Sequence, residues 1–295
     1  MTTSHFDRIR ADVEEELHRI FDERPRVPQH LREAMMYSVF AGGKRLRPTL
    51  VVAAAEAVGG NRQAALPTAA AFEIIHTYTL IHDDLPAMDN DSLRRGLPTN
   101  HIKFGEATAI LAGDGLLTLA FEVMAEIPSG ASVDPAALVR VIRTVAQAVG
   151  SEGTVGGQQA DMENEGKQAD LKTLEYIHAH KTGTMITAAV EAGGLLGGAS
   201  DGELLALTTY GKKIGLAFQV FDDILDVVGD AKTLGKNTGG DQKKKKTTYP
   251  ALMGLEESKK FGYALVAEAV AALTPIKGDT EHLKFLAEYV AKRAN

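Results

Sequence analysis

The sequence predicts an all-α fold in a single domain, and three features of the chain lead to that prediction. Apolar residues recur at helical spacing in one segment after another. The alternation of apolar and polar residues that marks β-strands is hard to find. The 295 residues also include no internal linker, low-complexity tract or exact repeat. We therefore expect a single domain over residues 1–295, large enough to bury a substantial core.

The predicted helices follow the apolar periodicity, and turn residues set their ends. Asp134 before Pro135 is typical of a helix start, and Asp201 is predicted to cap another helix. Glycine pairs, of which Gly197-Gly198 is one, mark breaks between helices. In chain order the predicted helices are 4–22, 30–41, 48–58, 64–85, 106–127, 135–150, 171–179, 182–196, 201–228, 250–273 and 280–293.

Two of the connecting segments are long for a compact domain, which is typical of functional loops. Residues 86–105 hold acidic residues followed by Arg94-Arg95-Gly96. Residues 229–249 hold four glycines and the lysine run 243–246, which we interpret as mostly a solvated surface.

The composition excludes several functional classes. A net charge of -7 argues against nucleic acid as the main partner, because a phosphate backbone requires a basic face. The chain has no cysteine, so disulfides and thiolate metal sites are excluded. It shows no signal or transit peptide and no uninterrupted apolar run of about 18 residues. We therefore expect a cytoplasmic protein without a membrane span.

Two apolar helices are predicted to end in a pair of aspartates. The acidic residues are Asp83, Asp84 and Asp89 in the first cluster and Asp222, Asp223 and Asp226 in the second. Like charges at a helix C-terminus repel each other and oppose the helix dipole, so folding alone does not explain them. Carboxylate oxygens suit magnesium, which fills its other positions with waters and substrate phosphates. A solvated acidic helix end remains an alternative for one cluster, but it is less favoured for two matching ones.

Positive side chains occur in separate short segments. Gly42–Pro48 carries three cations in four residues just before a predicted helix, whose N-terminus favours anions. Arg94-Arg95 follows the first acidic cluster, Lys181-Thr182 opens a predicted helix, and Lys236 follows the second cluster. Taken singly the lysines are more often surface groups, and His76 is equally consistent with a core histidine. The chain lacks the phosphate-binding loop of ATP-driven phosphotransferases.

Two carboxylate clusters, separated cations and an apolar helical interior together predict a substrate with a diphosphate head and an apolar tail. Magnesium and cations around a diphosphate stabilise it as a leaving group. Loss of diphosphate from an allylic carbon leaves a resonance-stabilised cation. A second bound diphosphate would hold the attacking alkene nearby and make the coupling effectively intramolecular.

These residues resemble the polyprenyl synthetase family of trans-prenyltransferases, and within it the bacterial farnesyl diphosphate synthases. The resemblance runs from about residue 30 to the C-terminus, with the motifs in the family's order. The motifs are Gly42–Pro48, Asp83–Asp89, Arg94-Arg95-Gly96, Gly157-Gln158 with Asp161, Lys181-Thr182, Phe218-Gln219 with Asp222-Asp223 and Asp226, Gly235-Lys236, and Lys246–Pro250. One departure is Gly240-Asp241, where many relatives carry a lysine before the aspartate; it weakens a minor contact.

The resemblance implies an all-α fold of isoprenoid synthase type, in which helices surround a deep central cavity with both aspartate motifs at its mouth, usually in a homodimer. It implies three magnesium ions, bound by Asp83, Asp89 and Asp222 with support from Asp84, Asp223 and Asp226. Isopentenyl diphosphate would be bound by Lys44, Arg47, His76 and Arg95. The allylic diphosphate would be bound by Arg94, Lys181, Thr182, Gln219, Lys236 and Lys246. The implied catalytic set is Asp83, Asp84, Asp89, Arg94, Lys181, Asp222 and Lys236, with the final proton taken by the released diphosphate.

Product length is expected to depend on Tyr78 and Thr79, which lie five and four residues before Asp83. On a helix that is just over one turn below the metal site, so a tyrosine there would be a floor under the growing tail unless it faces another helix. The resemblance associates an aromatic residue here with farnesyl producers and smaller residues with geranylgeranyl producers. The expected product from dimethylallyl or geranyl diphosphate is therefore (2E,6E)-farnesyl diphosphate, with geranylgeranyl diphosphate as the alternative.

Two other classes of protein share part of this pattern. Terpene cyclases share the first aspartate cluster, but they generally lack the basic segment Gly42–Pro48 and the second aspartate pair. A non-catalytic partner subunit would be expected to have lost aspartates or arginines that this chain retains. A helical scaffold without a site would explain neither acidic cluster.

Overall fold

A computed structural model describes residues 2–126, 133–167, 169–228 and 247–292, and within these ranges the predicted all-α fold is confirmed. The helices are α1 Thr2–Asp22, α2 Gln29–Val39, α3 Leu46–Ala57, α4 Arg62–Asp83, α5 Asn100–Phe104, α6 Glu106–Met124, α7 Pro135–Val149, α8 Thr154–Asn164, α9 Leu171–His178, α10 Thr184–Leu196, α11 Asp201–Val228, α12 Tyr249–Met253, α13 Leu255–Ala272 and α14 Glu281–Lys292. A π-helical turn, Ala179–Gly183, joins α9 to α10. Strands β1 Leu93–Arg94 and β2 Leu97–Pro98 form one short antiparallel hairpin.

The centre of the bundle consists of helices that are apolar around most of their circumference. Every residue of α3 except Arg47 and Glu56 is buried, and α4 is buried on all sides from Ala64 to Ile75. Such helices belong in the interior, and here α3, α4, α10 and α11 pack on one another. α3 and α10 approach so closely that a Cβ on Gly193 would lie 2.1 Å from the Val51 carbonyl oxygen. The large core predicted from chain length is therefore built on small residues at helix crossings.

Four helical segments differ from the sequence prediction. Helix α5 lies within the predicted loop 86–105. The gap predicted between two helices at 180–181 is instead the π-helical turn, so α9 and α10 run as one continuous helix. The single helix predicted over 250–273 is two, because Gly254 has a φ of 86° and turns the chain between them. α8 was not predicted at all, because its two central glycines and polar residues weaken the helical pattern.

Helix ends agree with the sequence at one predicted cap and not at the other. Asp134 caps α7 as predicted, accepting a hydrogen bond from the Ala136 amide at 3.0 Å. The prediction that Asp201 caps α11 was wrong, because Ser200 holds that position. The Ser200 amide donates to Glu203 at 3.0 Å, while the Glu203 amide donates to the Ser200 hydroxyl at 3.4 Å. This reciprocal pair is a capping box, which Asp201 follows as the first helical residue.

Helix α6 is the most apolar of the long helices on the surface. By length and composition alone it could cross a membrane, with a mean hydropathy of 1.5, although 44% of the apolar window is buried in the protein. It packs on α4 and α2 while Ile110 and Leu111 on its other side are exposed. Core helices of soluble proteins have the same length and composition, so one such helix is weak evidence for a membrane span. The absence of a span stays a prediction.

The glycine at position 157 brings α8 against the π-helical turn, and its replacement should destabilise the protein. A Cβ there would lie 2.1 Å from the Lys181 backbone nitrogen, so Gly157→Ala should lower the free energy of unfolding by about 1–3 kcal/mol. Gly202→Ala is the control, because a Cβ at that position would meet no atom within 4 Å; we expect a gain of about 0.5 kcal/mol. Denaturant unfolding measures both changes, and equal effects would contradict the close-approach argument.

Candidate active site

One cavity of about 850 Å³ lies where the C-terminal end of α4 meets α8, the π-helical turn and α11. Most of the residues that the sequence singled out line it. From the predicted set the cavity wall includes Lys44, Arg47, His76, Tyr78, Thr79, Asp83, Asp89, Arg94, Arg95, Lys181, Thr182, Gln219 and Asp222. Lys236 and Lys246 lie outside the described residues. The wall thus brings together acidic, basic and apolar groups that are far apart in the sequence.

The first aspartate cluster closes the C-terminal end of α4. Pro86 follows the helix, and the chain folds back so that the Asp89 amide donates to the Asp83 carbonyl oxygen at 2.8 Å. This turn brings Asp89 back beside Asp83 at the end of the helix. The pKa of the Asp83 carboxyl is raised to about 6, chiefly by burial. The nearby Asp89 charge contributes to this rise, while Lys181 opposes it. An anionic Asp83 is therefore costly until a cation lies beside it.

Asp84 points away from the cavity although it is the next residue. It is 2% exposed and does not line the cavity wall. Its carboxylate accepts hydrogen bonds from Arg94 Nε at 2.8 Å and from Arg94 Nη2 at 2.6 Å. Arg94 itself lines the cavity, so Asp84 reaches the site through that arginine.

The second cluster, at the end of α11, places two adjacent aspartates in the wall. Asp222 and Asp223 both line the cavity, together with Gln219 one turn before Asp222. Asp223 is 6% exposed, and one of its oxygens accepts the Tyr249 backbone amide at 2.9 Å. Its other oxygen lies 3.8 Å from His178 Nε2. Asp226 is half-buried outside the cavity wall.

The basic segment before α3 contains one structural arginine between two cations that face the cavity. Arg45 is 2% exposed and donates to Glu14 at 2.7 Å and to Glu73 at 2.6 Å. Lys44 is exposed at the rim, whereas Arg47 is half-buried in the wall. Burial, and the nearby positive charge of Arg95, lower the pKa of Arg47 to about 10.

The β1–β2 hairpin supplies two arginines that point in different directions. Its turn consists of Arg95 and Gly96, with φ values of 53° and 77°, a geometry that matches the twist of a two-residue hairpin. Arg95 donates to the Gly42 carbonyl oxygen and lies against the basic segment, while Arg94 is held by Asp84. His76 faces this group; burial and the neighbouring guanidinium groups hold its pKa well below the usual range, so the imidazole is neutral.

The opposite wall carries Lys181 and Thr182, which lie inside the π-helical turn rather than at a helix start as predicted. Lys181 Nζ donates to Asp161 at 2.7 Å. Gln158 lines the cavity one turn before Asp161, and its buried Oε1 has no hydrogen-bond partner among the described residues. A buried acceptor of this kind is expected to meet a ligand or a water.

Tyr78 and Thr79 both line the cavity, as the product-length prediction requires. Tyr78 is 6% exposed, and its ring lies edge-on to His82 with centroids 5.7 Å apart. Burial and the Asp83 charge raise the pKa of Tyr78 to about 12, so the phenol stays protonated. The Thr79 hydroxyl donates to the His76 carbonyl oxygen at 2.8 Å, which leaves its methyl group as the free surface.

Glu73 is a charged group of the wall that sequence reasoning missed. It lies on the buried side of α4, 2% exposed, and it opposes the lowering of the pKa of both Arg47 and Arg95. The available signal was a glutamate inside an apolar run, three residues before His76. A buried carboxylate without a cation would be costly, so its position implied a partner.

The donor set of the cavity fits magnesium. The three predicted ligands Asp83, Asp89 and Asp222 all line the wall, and carboxylate oxygens are the donors that hard divalent cations take. The raised pKa of Asp83 is a second indication, because a bound cation would stabilise the anion that burial disfavours.

Similarities to known proteins cover most of the chain. A family model described as polyprenyl synthetase matches residues 28–280. The farnesyl diphosphate synthase of Geobacillus stearothermophilus is 49% identical over 271 residues, covering 92% of this chain and 91% of that protein.

Two further similarities extend the comparison. The heterodimeric geranylgeranyl pyrophosphate synthase large subunit 1, chloroplastic, of Arabidopsis thaliana is 49% identical over 274 residues, covering 92% of this chain and 74% of that protein. The crystal structure of a geranyltransferase from Legionella pneumophila is similar with a TM-score of 0.88 and 34% identity, covering 100% of this chain and 98% of that one.

The raised pKa of Asp83 predicts how magnesium binding changes with pH. Below pH 6 the free carboxyl is protonated and must release its proton before it binds a cation, so affinity should fall by up to about tenfold per pH unit. Above pH 7 this contribution should be constant. Calorimetric titration with Mg²⁺ from pH 5 to 8 measures it. Asp83→Asn should bind more weakly with a flatter profile, and an unchanged profile in that variant would contradict the assignment.

Proposed function

The chain belongs to the polyprenyl synthetase family and is a prenyltransferase, and we propose that it condenses isopentenyl diphosphate with dimethylallyl and geranyl diphosphate to form (2E,6E)-farnesyl diphosphate. One observation carries the proposal: aspartates of both clusters and the separated cations line a single cavity, together with apolar side chains such as Met185 and Phe218. The retention of both clusters and of the basic segment argues against a terpene cyclase and against a silent subunit.

Two groups of side chains would bind the two diphosphates. Those on the side of the basic segment, proposed for isopentenyl diphosphate, are Lys44, Arg47, His76 and Arg95. Those on the other side, proposed for the allylic diphosphate, are Arg94, Lys181, Thr182 and Gln219, together with Lys236 and Lys246 outside the described residues. A cation that is fixed in a cavity without water stabilises an anion more than a solvated cation does, so this arrangement favours loss of the diphosphate anion.

Asp83, Asp89 and Asp222 would hold magnesium, and we propose three ions. When bound, they would neutralise the allylic diphosphate as it leaves. The carbon–oxygen bond of the allylic substrate breaks, and the alkene of isopentenyl diphosphate forms the new carbon–carbon bond. The released diphosphate then takes the proton that the adduct loses, so no protein base is required. The neutral His76 would donate a hydrogen bond to a substrate oxygen rather than a second charge.

Tyr78 supports the farnesyl product, while one relative supports a longer one. The tyrosine ring is buried against His82 in the cavity wall, in a position to stop a 15-carbon tail. A geranylgeranyl synthase from Arabidopsis thaliana is as similar in sequence as the Geobacillus farnesyl synthase. Geranylgeranyl diphosphate is therefore kept as the second candidate.

The first experiment is incubation of the purified protein with Mg²⁺, isopentenyl diphosphate and dimethylallyl diphosphate, with chromatography of the products. We expect a dominant C15 product. Tyr78→Ala should shift the products to C20 and longer, because the floor is removed. Tyr263→Ala is the matched control on an exposed tyrosine and should leave the products at C15. A C20 product from the wild type would overturn the role of Tyr78, and no product from either starter would overturn the function.

A homodimer and a cytoplasmic location belong to the proposal. The exposed Ile110 and Leu111 on α6 form an apolar patch of the kind that a second copy would cover. Leu111→Asp should therefore shift the protein from dimer to monomer in sedimentation velocity. Leu205→Asp, on an equally exposed leucine of α11, should leave the dimer intact. A wild-type monomer would contradict this part of the proposal.

A further inference from the structure

Two adjacent aspartates at the end of α4 face in opposite directions. Asp83 lines the cavity, whereas Asp84 is 2% exposed and outside the wall. We propose that Asp84 is a positioning residue that acts through Arg94, fixing the direction of that guanidinium group towards the allylic diphosphate. The inference rests on the proposed function, and it replaces the catalytic role that the sequence predicted for Asp84.

The hydrogen bonds between the two side chains define one orientation. Arg94 Nε lies 2.8 Å from both carboxylate oxygens of Asp84, and Nη2 lies 2.6 Å from one of them. Arg94 uses one edge of its guanidinium group in this pair. Its Nη1 makes no hydrogen bond to the described part of the chain, so this NH2 group can donate to a diphosphate oxygen. Paired bonds of this type restrict an arginine far more than a single contact does.

Charge explains why Arg94 needs a buried partner. It lies close to Arg95, whose pKa is lowered by burial and by the charges of Arg45 and Arg94. Without the Asp84 anion, Arg94 would be repelled by these cations and would lose its fixed direction. The exposed Asp91 cannot replace Asp84, because its carboxylate is 3.8 Å from Arg94 Nη2 and is open to solvent.

The hairpin extends the effect to both diphosphate positions. Arg94 and Arg95 are consecutive, and Arg95 is bound on the other side of the hairpin by the Gly42 carbonyl oxygen. Asp84 and Gly42 therefore hold the two arginines apart, one on each proposed diphosphate. The second aspartate pair differs, since Asp223 lines the cavity while one of its oxygens accepts the Tyr249 amide where α12 begins.

A double-mutant cycle tests the proposal in the full-length protein. The variants are Asp84→Asn, Arg94→Gln and the double variant, with Asp91→Asn as the matched control. Binding of inorganic diphosphate in the presence of Mg²⁺ is measured by calorimetry, alongside KM for geranyl diphosphate and the Mg²⁺ concentration that gives half-maximal activity. Circular dichroism and the thermal midpoint confirm that each variant is folded.

If Asp84 acts through Arg94, three results follow. Asp84→Asn weakens diphosphate binding and raises KM for geranyl diphosphate by about 10- to 100-fold, the range of a lost charged hydrogen bond. The double variant is no worse than Arg94→Gln alone, because both changes remove the same contact. The Mg²⁺ requirement stays at the wild-type value in Asp84→Asn, whereas it rises in Asp83→Asn. Asp91→Asn behaves as the wild type.

Two results would overturn the inference. One is a multiplicative loss in the double variant, which would show that Asp84 and Arg94 act independently. The other is a raised Mg²⁺ requirement in Asp84→Asn with unchanged KM, which would make Asp84 a metal ligand. Wild-type protein that binds no diphosphate and forms no product would instead contradict the proposed function. The two failures are therefore distinguishable.

Discussion

The side chain of Arg45 joins four helices, and the cation side of the cavity depends on it. It precedes α3 and binds Glu14 of α1, Glu73 of α4 and the carbonyl oxygen of Val39 in α2. A guanidinium group buried to this degree is tolerated only when its charge is matched, and here two carboxylates match it. Its left-handed backbone, with a φ of 50°, turns the chain so that Arg47 enters the cavity wall. Arg45, which has no role in the proposed reaction, thus determines where Arg47 lies in the cavity wall.

Charged groups in the site fall into two populations. Some, such as Asp84 and Arg45, are satisfied by hydrogen bonds within the protein itself. Others, such as Asp83 and Arg47, have pKa values displaced against their charge: burial raises that of Asp83 and lowers that of Arg47. Each displacement would be offset by a ligand of opposite charge, a cation for the aspartate and a diphosphate for the arginine. The wall therefore carries an electrostatic cost that its ligands relieve.

The sequence predicted the groups that face the ligand better than the groups that hold them. Aspartates at two helix C-termini oppose the helix dipole, so the sequence indicated a functional site without knowledge of what these residues contact. The pairing of Asp84 with Arg94, and of Glu73 with Arg45, depends on which segments of the chain meet in space, and neither spacing nor composition reveals that. Helix α8 was missed for the same reason, because Gly157 is favoured by the close approach of Lys181 and not by any local preference.

The π-helical turn has a consequence for how the family's chains can vary in length. Its wider turn accommodates the equivalent of one added residue within an otherwise continuous helix from Leu171 to Leu196. Removing one residue would restore regular winding and rotate everything before it by about 100° relative to α10. Lys181 and Thr182 would leave the wall, while the core contacts of α10 would remain. An insertion or deletion here would therefore change which side chains face the cavity without changing the length of the wall by more than one residue.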